Sequence, residues 1–287
     1  MRALIFGASG QIGVPLVARL HDAGWTLDAV SRSARGPSPG VTWHRGSLDA
    51  MPASAPPGFD AIVSCGPLDR FARWYRSAAV ECTRVVAFGS TSAAVKHASP
   101  DDAERDVAER LASAETSLLE TAAARGAAAT VLRPTLVYGA GRDATLTRIA
   151  ALARRAGAFP LPRGATGQRQ PVHVDDLADA AFACIDNAAV AGRSYDVPGG
   201  ETLAYREMVA RVLACLQPPA RLVELPPPVF ALALRGAALI GAGRGLGDAA
   251  VARMRDDLVF DAGPAARDLG YSPRAFRPLP SMFEPPR

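Results

Sequence analysis

The sequence predicts an α/β fold in which a doubly wound parallel sheet carries helices on both faces. Short apolar runs alternate with amphipathic stretches through the first two thirds of the chain, and this alternation is typical of such sheets. The first apolar run also passes directly into a glycine-rich turn and a helical run. With 287 residues, the chain is long enough for one large α/β domain or two closely joined ones.

The turn after the first strand has the composition of a phosphate-binding loop. Gly7 permits a tight turn, Gly10 lets the backbone approach phosphates, and Gly13 allows the helix to pack closely on the strand. The free amides of the helix then face the anion. This context predicts a site for the pyrophosphate of a dinucleotide, a purely structural turn being the alternative. The residues predicted to contact the dinucleotide in this loop are Gly7, Ser9, Gly10, Gln11, Ile12 and Gly13.

Six strand-like runs are expected before residue 135. Each is apolar or β-branched and is bounded by turn residues. In chain order they are Arg2–Phe6, Thr26–Ser31, Val41–His44, Phe59–Ser64, Thr83–Phe88 and Ala129–Arg133.

A long helix is expected between the fifth and sixth runs. Ser99 is a plausible N-cap, Pro100 suits the first helical position, and Gly126 suits the end. The helix is of a length that suits a right-handed crossover between parallel strands. Its apolar stripe is Val107, Leu111, Ala114, Leu118 and Ala122.

The pattern becomes less regular after Pro134. The stretch 139–167 is rich in glycine, arginine and proline, which is typical of a mobile loop over a cleft. Residues 171–178 are predicted to be a short strand followed by a helix capped by an aspartate. Residues 192–197 are predicted to be a further strand of the sheet.

Charge and cysteine usage exclude several classes of function. The net charge of +4 comes from 32 basic and 28 acidic residues without a block of one sign, so no nucleic-acid partner is expected. The four cysteines form no CxxC pair, which predicts neither a metal site nor a disulfide framework. No export signal is visible, and the apolar stretch 229–243 is short and interrupted by Arg235. A cytoplasmic protein without membrane contact is therefore expected.

Several landmarks follow one another in a specific order. They are GASGQIG at 7–13, Ser31-Arg32, Gly89-Ser-Thr-Ser92, Leu132-Arg-Pro134 with Val137-Tyr-Gly139, His173-Val-Asp-Asp176 and Leu269-Gly-Tyr-Ser-Pro273. In this order, over roughly residues 2–275, they resemble the extended and atypical short-chain dehydrogenase/reductases, the family of NAD-dependent epimerase/dehydratases.

The resemblance implies a Rossmann domain, a small C-terminal substrate lobe and an active site in the cleft between them. Residues 1–135 and 172–198 are then expected to form the dinucleotide-binding domain, and residues 136–171 and 199–287 the substrate-binding lobe. A small-molecule substrate is expected, and a homodimer is the assembly that the resemblance suggests.

The residues after the second strand favour NADP(H) over NAD(H). An acidic residue at the end of that strand would bind the ribose 2′-hydroxyl and repel a 2′-phosphate. Here the position is taken by Ser31 and Arg32, with Arg35 close behind. A guanidinium can bind a phosphate with two donors, although Arg32 as a solvated loop residue is the alternative. The resemblance places the remaining cofactor contacts at Ser47, Leu48, Cys65, Gly66 and Pro134.

The usual catalytic pair of this family, a Tyr and a Lys four residues apart on a helix, is missing from the sequence. The chain has one lysine, Lys96, and none of its five tyrosines has a lysine four residues later. Ser90 and Thr91, after the fifth strand, are candidate catalytic hydroxyls, and a turn that satisfies its own backbone is the alternative. Tyr138 is a third candidate because Arg142 follows it at the spacing of the missing lysine.

Two functions of different classes remain open. One is an NADP(H)-dependent oxidoreductase or epimerase/dehydratase-like enzyme for a small carbonyl or hydroxyl compound, sugar nucleotides included. Water, Ser90, Thr91 or a substrate hydroxyl can replace the missing acid at a cost of about 10²–10⁴ in rate. The other is a non-catalytic NADP(H)-binding sensor or assembly factor, since fold does not fix function.

Overall fold

A parallel sheet of seven strands is the centre of the computed structural model, which describes residues 1–50, 58–239 and 251–284. The described residues form thirteen strands, of which seven make up this sheet and six form three separate pairs. They are β1 Arg2–Phe6, β2 Thr26–Ser31, β3 Val41–Arg45, β4 Gly58–Ser64, β5 Glu81–Phe88, β6 Ala128–Pro134, β7 Val137–Tyr138, β8 Ala158–Pro162, β9 Gln168–Arg169, β10 Val172–His173, β11 Arg193–Val197, β12 Leu203–Ala204 and β13 Arg221–Leu225. The spatial order in the sheet is β11-β6-β5-β4-β1-β2-β3, and all six neighbouring pairs are parallel. The predicted fold class is confirmed. The winding direction changes between β1 and β4, which is where such sheets bind ligands.

Helices cover both faces of this sheet. The helices of the described residues are α1 Gly13–Asp22, α2 Leu68–Ser77, α3 Ser92–Lys96, α4 Asp102–Ala124, α5 Leu146–Ala156, α6 Val174–Asp186, α7 Tyr205–Cys215, α8 Pro227–Leu239 and α9 Gly263–Leu269. On one face, Leu16 of α1 and Leu177 of α6 belong to a buried apolar cluster with residues of the sheet. On the other face, Phe71 of α2 and Leu118 of α4 belong to a second such cluster.

Helix α4 begins later than Ser99 and Pro100 predict. Asp101 is the N-cap, and its carboxylate accepts a 2.9 Å hydrogen bond from the amide of Ala103. The hydroxyl of Ser99 instead donates to Glu104 at 2.8 Å. The capping prediction was wrong because a second capping residue stands two positions later and Ser99 has a side-chain acceptor within the helix.

The stretch 139–167, predicted to be a mobile loop, contains α5 and β8. Leu146, Ile149, Ala150 and Ala153 recur at helical spacing and are buried, and Gly157 ends the helix with φ +68°. Strand β8 pairs in parallel with β13. The prediction was wrong because it was based on composition, whereas the spacing of the apolar residues decides the structure.

A third apolar cluster lies apart from the two on the sheet. All its buried members fall within residues 136–171 and 199–287, the segments predicted to form a substrate lobe. Ala265 and Tyr271, however, pack in a cluster on the sheet, and the division into domains stays a prediction. In the described part of the chain, no helix is long and apolar enough to span a bilayer. Residues 240–243 of the apolar stretch at 229–243 lie outside the described residues.

Candidate functional site

The predicted site segments meet at one edge of the sheet. Gly7 follows β1, Cys65 follows β4, Gly89 follows β5, and β6 ends at Pro134. Because these neighbouring strands are parallel, their carboxyl ends lie side by side, and side chains that follow them face the same crevice.

The loop after β1 is packed so tightly that its glycines have no room for side chains. The amide of Gly10 donates to the carbonyl of Gly7 at 2.8 Å and closes the turn. A Cβ on Gly13 would lie 2.1 Å from that carbonyl oxygen, and one on Gly10 would lie 2.9 Å from it. Gly7 has φ +71°, and its own Cβ would stand 3.1 Å from the Cys65 carbonyl. The three glycines are therefore required by geometry.

Helix α1 starts with donors that the described residues do not use. Among these residues, no side chain caps its N-terminus, and the first turn of the helix contains no acidic residue. Within the described residues, the amides of Gln11 and Ile12 donate to no acceptor, and the buried Oε1 of Gln11 has no donor. A turn of free amides at the positive end of a helix fits a pyrophosphate. We call this loop, residues 7–13, the amide cradle.

Some of the other predicted cofactor residues lie next to the amide cradle or next to one another. The hydroxyl oxygens of Ser9 and Ser31 are 3.5 Å apart. A Cβ on Gly66 would lie 3.3 Å from Cδ1 of Leu48. Ser47 lies just after β3, where its hydroxyl accepts from the amide of Asp49 at 3.2 Å.

The end of β2 presents cations without a free carboxylate. Arg32 is exposed and has no ion-pair partner in the described parts of the chain, whereas the guanidinium of Arg35 lies 5.9 Å from the ring centre of Trp43. Asp28, the single acid of β2, is fully buried.

Two basic side chains occupy both oxygens of this buried Asp28 carboxylate. Oδ2 accepts from Nε of Arg2 at 2.6 Å, and Oδ1 lies 2.6 Å from Nε2 of His44. The aspartate is therefore part of the sheet and is not available to a ribose.

A cavity of about 230 Å³ lies beside the ends of β5 and β6. Hydroxyl groups line one part of it, from Ser90, Thr91 and Ser92, and Thr135 and Thr145 also border it. Three cationic side chains line it as well: Lys96, Arg169 and Arg253. We call this space the hydroxyl cavity.

The two hydroxyls predicted to be catalytic differ in how their protons are used. Thr91 is buried, and its Oγ1 donates to the carbonyl of Pro134 at 3.2 Å. Oγ of Ser90 accepts from the amide of Ser92 at 3.1 Å. This bond leaves the Ser90 proton available, whereas the Thr91 proton is already donated within the turn.

Tyr138 does not line the hydroxyl cavity. It is 1 % exposed and packs edge-on against Phe276 and His173, with ring centres 4.9 Å and 5.1 Å away. Burial raises the pKa of its phenol to about 12. Arg142, its predicted partner, instead donates to the carbonyl of Ser9. Tyr138 therefore has a packing role here, and its predicted catalytic role has no support in this arrangement.

His173, rather than an aspartate, caps α6. Its Nδ1 accepts from the amide of Asp175 at 3.2 Å. Asp176 accepts from Arg274, so the predicted aspartate cap was wrong.

Most cationic residues of the hydroxyl cavity escaped the sequence analysis. Lys96 follows Ser92 by four residues, and helix α3 places both along the same cavity. Arg169 and Arg253 come from segments far apart in the chain, and no local pattern connects them. Residues 142–169 are rich in arginine, but this composition does not single out Arg169.

Comparisons with known proteins agree with this geometry. The model of the NAD dependent epimerase/dehydratase family matches residues 69–197. UDP-glucose 4-epimerase of Vibrio cholerae is 29% identical over 162 residues, which cover 56% of this chain and 46% of that protein. The 2-alkyl-3-oxoalkanoate reductase of Stenotrophomonas maltophilia is 32% identical over 96 residues, or 32% of this chain and 29% of that protein. The matches thus span less than half the length of these relatives.

The fold has relatives over almost its whole length. The crystal structure of UDP-glucuronic acid 4-epimerase from Bacillus cereus, in complex with NAD, superposes with a TM-score of 0.71. The superposition covers 99% of this chain and 97% of that one at 12% identity. Over residues 69–197 the chain is therefore similar to the NAD dependent epimerase/dehydratase family, and over nearly its whole length it shares the fold of the Bacillus cereus epimerase.

Proposed function

We propose that this protein is an NADP(H)-dependent oxidoreductase or epimerase/dehydratase-like enzyme that acts on a small carbonyl or hydroxyl compound. The observation that carries the proposal is the hydroxyl cavity, which lies on the same sheet edge as the amide cradle. The names of the two curated relatives describe a sugar-nucleotide epimerase and an oxoalkanoate reductase. Both names are compatible with chemistry at a carbon that carries oxygen.

One set of residues binds the cofactor, and another binds the substrate. The amides of residues 11 and 12 bind the pyrophosphate, and a nicotinamide dinucleotide held there supplies hydride transfer. The hydroxyl of Ser90 donates a hydrogen bond to the reacting oxygen of the substrate. Thr91 holds the turn against Pro134 through its amide and its hydroxyl, which keeps Ser90 in place.

The preference for NADP(H) rests on the charges at the end of β2. Arg32 is an exposed guanidinium without a partner in the described residues, so a 2′-phosphate would meet a free cation. The acid of β2, Asp28, is paired with Arg2 and His44. The solved relative from Bacillus cereus was crystallised with NAD, which makes the choice of cofactor a necessary test.

One observation favours the second candidate function, a non-catalytic NADP(H)-binding sensor. The hydroxyl proton of Thr91 is donated within the protein, Tyr138 is buried, and the ammonium of Lys96 pairs with Glu104 at 3.7 Å. Few polar groups near the predicted reaction site are thus free for proton transfer.

Oxidation of NADPH in the presence of aldehydes, quinones and short oxo compounds separates the two functions. The enzyme proposal predicts turnover with at least one class, and a loss in kcat of about 10²-fold in Ser90→Ala. Ser77→Ala is the matched control, because that exposed hydroxyl bonds only to the backbone of its own helix. Tight cofactor binding without turnover of any compound would support the sensor instead.

A further inference from the structure

We infer that the hydroxyl cavity selects a small anionic substrate, whose carboxylate or phosphate is bound by Arg169, Arg253 and Lys96. The inference rests on the proposed function, because it names the substrate class of the same site. It is carried by the surplus of cationic groups around the cavity and by the cavity's size.

Arg169 is a buried cation that has no carboxylate within ion-pair distance among the described residues. Its side chain is 6% exposed, and its guanidinium donates to the carbonyls of Gln168 and Asp256 at 2.7 Å and 2.8 Å and to that of Arg253. It also lies 5.3 Å from the ring centre of Tyr205. No carboxylate of the described residues comes within 4 Å of it. The carbonyls accept from its guanidinium, and the charges of Asp256 and Asp257 act on it from more than 4 Å away. Its charge is thus only partly compensated, so an anion in the cavity is attracted.

Lys96 and Arg253 share one carboxylate. Nζ of Lys96 is 3.7 Å from Oε1 of Glu104, and Nη1 of Arg253 donates to Oε2. Ser99 donates to the same oxygen. Glu104 is not part of the cavity lining, so it fixes two cations at the wall without entering the space. Among the described residues, three cations therefore line the cavity, and one carboxylate pairs with two of them.

The volume of the cavity limits the size of the bound molecule. About 230 Å³ is below the range of about 300–1,000 Å³ that is usual for pockets of drug-sized ligands. The cations and the Ser90 hydroxyl border the same small space, so the acidic group and the reacting oxygen must be separated by few bonds. Short oxo acids, hydroxy acids and phosphorylated hydroxy compounds have this arrangement.

The test measures binding to the full chain saturated with NADP⁺ by calorimetry. The probes are short oxo acids, each paired with its neutral methyl ester, and inorganic phosphate as a competitor. We expect at least one acid to bind about tenfold or more tightly than its ester, and phosphate to compete with it. Equal binding of every acid and its ester, or no binding of any acid or of phosphate, would overturn the inference.

Variants locate the binding site. Arg253→Gln and Lys96→Gln should each weaken acid binding by about tenfold. Arg255→Gln, an exposed arginine on the same segment that does not line the cavity, should leave it within about twofold. Lys96→Gln is included in case Arg253→Gln does not fold, because Glu104 keeps its ion pair with Arg253 when Lys96 is replaced. Unchanged binding in both folded variants would contradict the inference.

The binding titrations and the NADPH oxidation assay together keep the two proposals distinguishable. Acid or phosphate binding that depends on Arg253, without NADPH oxidation by any of the carbonyl compounds, would support the anion site and overturn the enzyme proposal. Turnover of neutral carbonyl compounds, with no preference for the acids, would support the enzyme proposal and overturn the proposal of an anion site.

Discussion

The amide cradle and the hydroxyl cavity lie on the same sheet edge but are built in opposite ways. In the cradle, the amides of Gln11 and Ile12 have no partner among the described residues, whereas several polar groups of the cavity already bond to protein groups behind its wall. Lys96 and Arg253 share Glu104, and Thr91 bonds to Pro134. The difference shows that the cradle is prepared for a ligand by its backbone, while the cavity is shaped by side chains from distant segments.

The largest effect is expected at Gly13. Gly13→Ala places a Cβ 2.1 Å from the carbonyl oxygen of Gly7, so the turn must open and its amides lose their common direction. We predict that calorimetry shows a loss of NADPH affinity of about 100-fold or more. Gly58→Ala is the control, because its Cβ would meet no atom within 4 Å. An affinity for Gly13→Ala within about twofold of the wild type would show that the cradle does not hold the dinucleotide.

Removing the buried carboxylate of β2 should affect stability without affecting the choice of cofactor. Asp28→Ala leaves Arg2 and His44 without their shared partner, which should lower the free energy of unfolding by about 2 kcal/mol. The exposed Asp22→Ala should change it by less than about 0.5 kcal/mol. Denaturant unfolding measures both values, and a changed ratio of NADPH to NADH affinity in Asp28→Ala would show that this acid contacts the ribose.

A smaller and more selective effect is expected at Arg32. Arg32→Ala removes the cation proposed to bind the 2′-phosphate, so NADPH affinity should fall by about tenfold while NADH affinity stays constant. Arg73→Ala, at an exposed position on α2, controls for the change in net charge. Parallel losses for both cofactors would assign Arg32 to the structure of the loop.

The smallest effect is expected at Tyr138. Because burial raises the pKa of this phenol to about 12, it stays neutral throughout an assay between about pH 6 and pH 9. Tyr138→Phe should therefore leave kcat within about twofold and leave the shape of the pH profile unchanged. If the wild type shows an alkaline inflection in the pH profile of kcat and the variant loses it, Tyr138 takes part in catalysis.

The same contrast explains which parts of the site could be predicted from the sequence. The cradle is formed by consecutive residues, and β1 and β2 lie in local apolar runs, so both could be predicted from short segments. The hydroxyl cavity joins Ser90, Lys96, Arg169 and Arg253, whose proximity depends on how distant segments pack, and no local pattern contains that information. The roles predicted for Ser90 and for the residues of the cradle stay predictions until ligands are bound.

Calorimetric titration of the wild-type chain with NADPH and with NADH measures the cofactor preference itself. We predict one site per chain, with NADPH bound about tenfold or more tightly than NADH. Equal affinities would contradict the role of Arg32, and the absence of binding by either dinucleotide would contradict the assignment of the amide cradle itself.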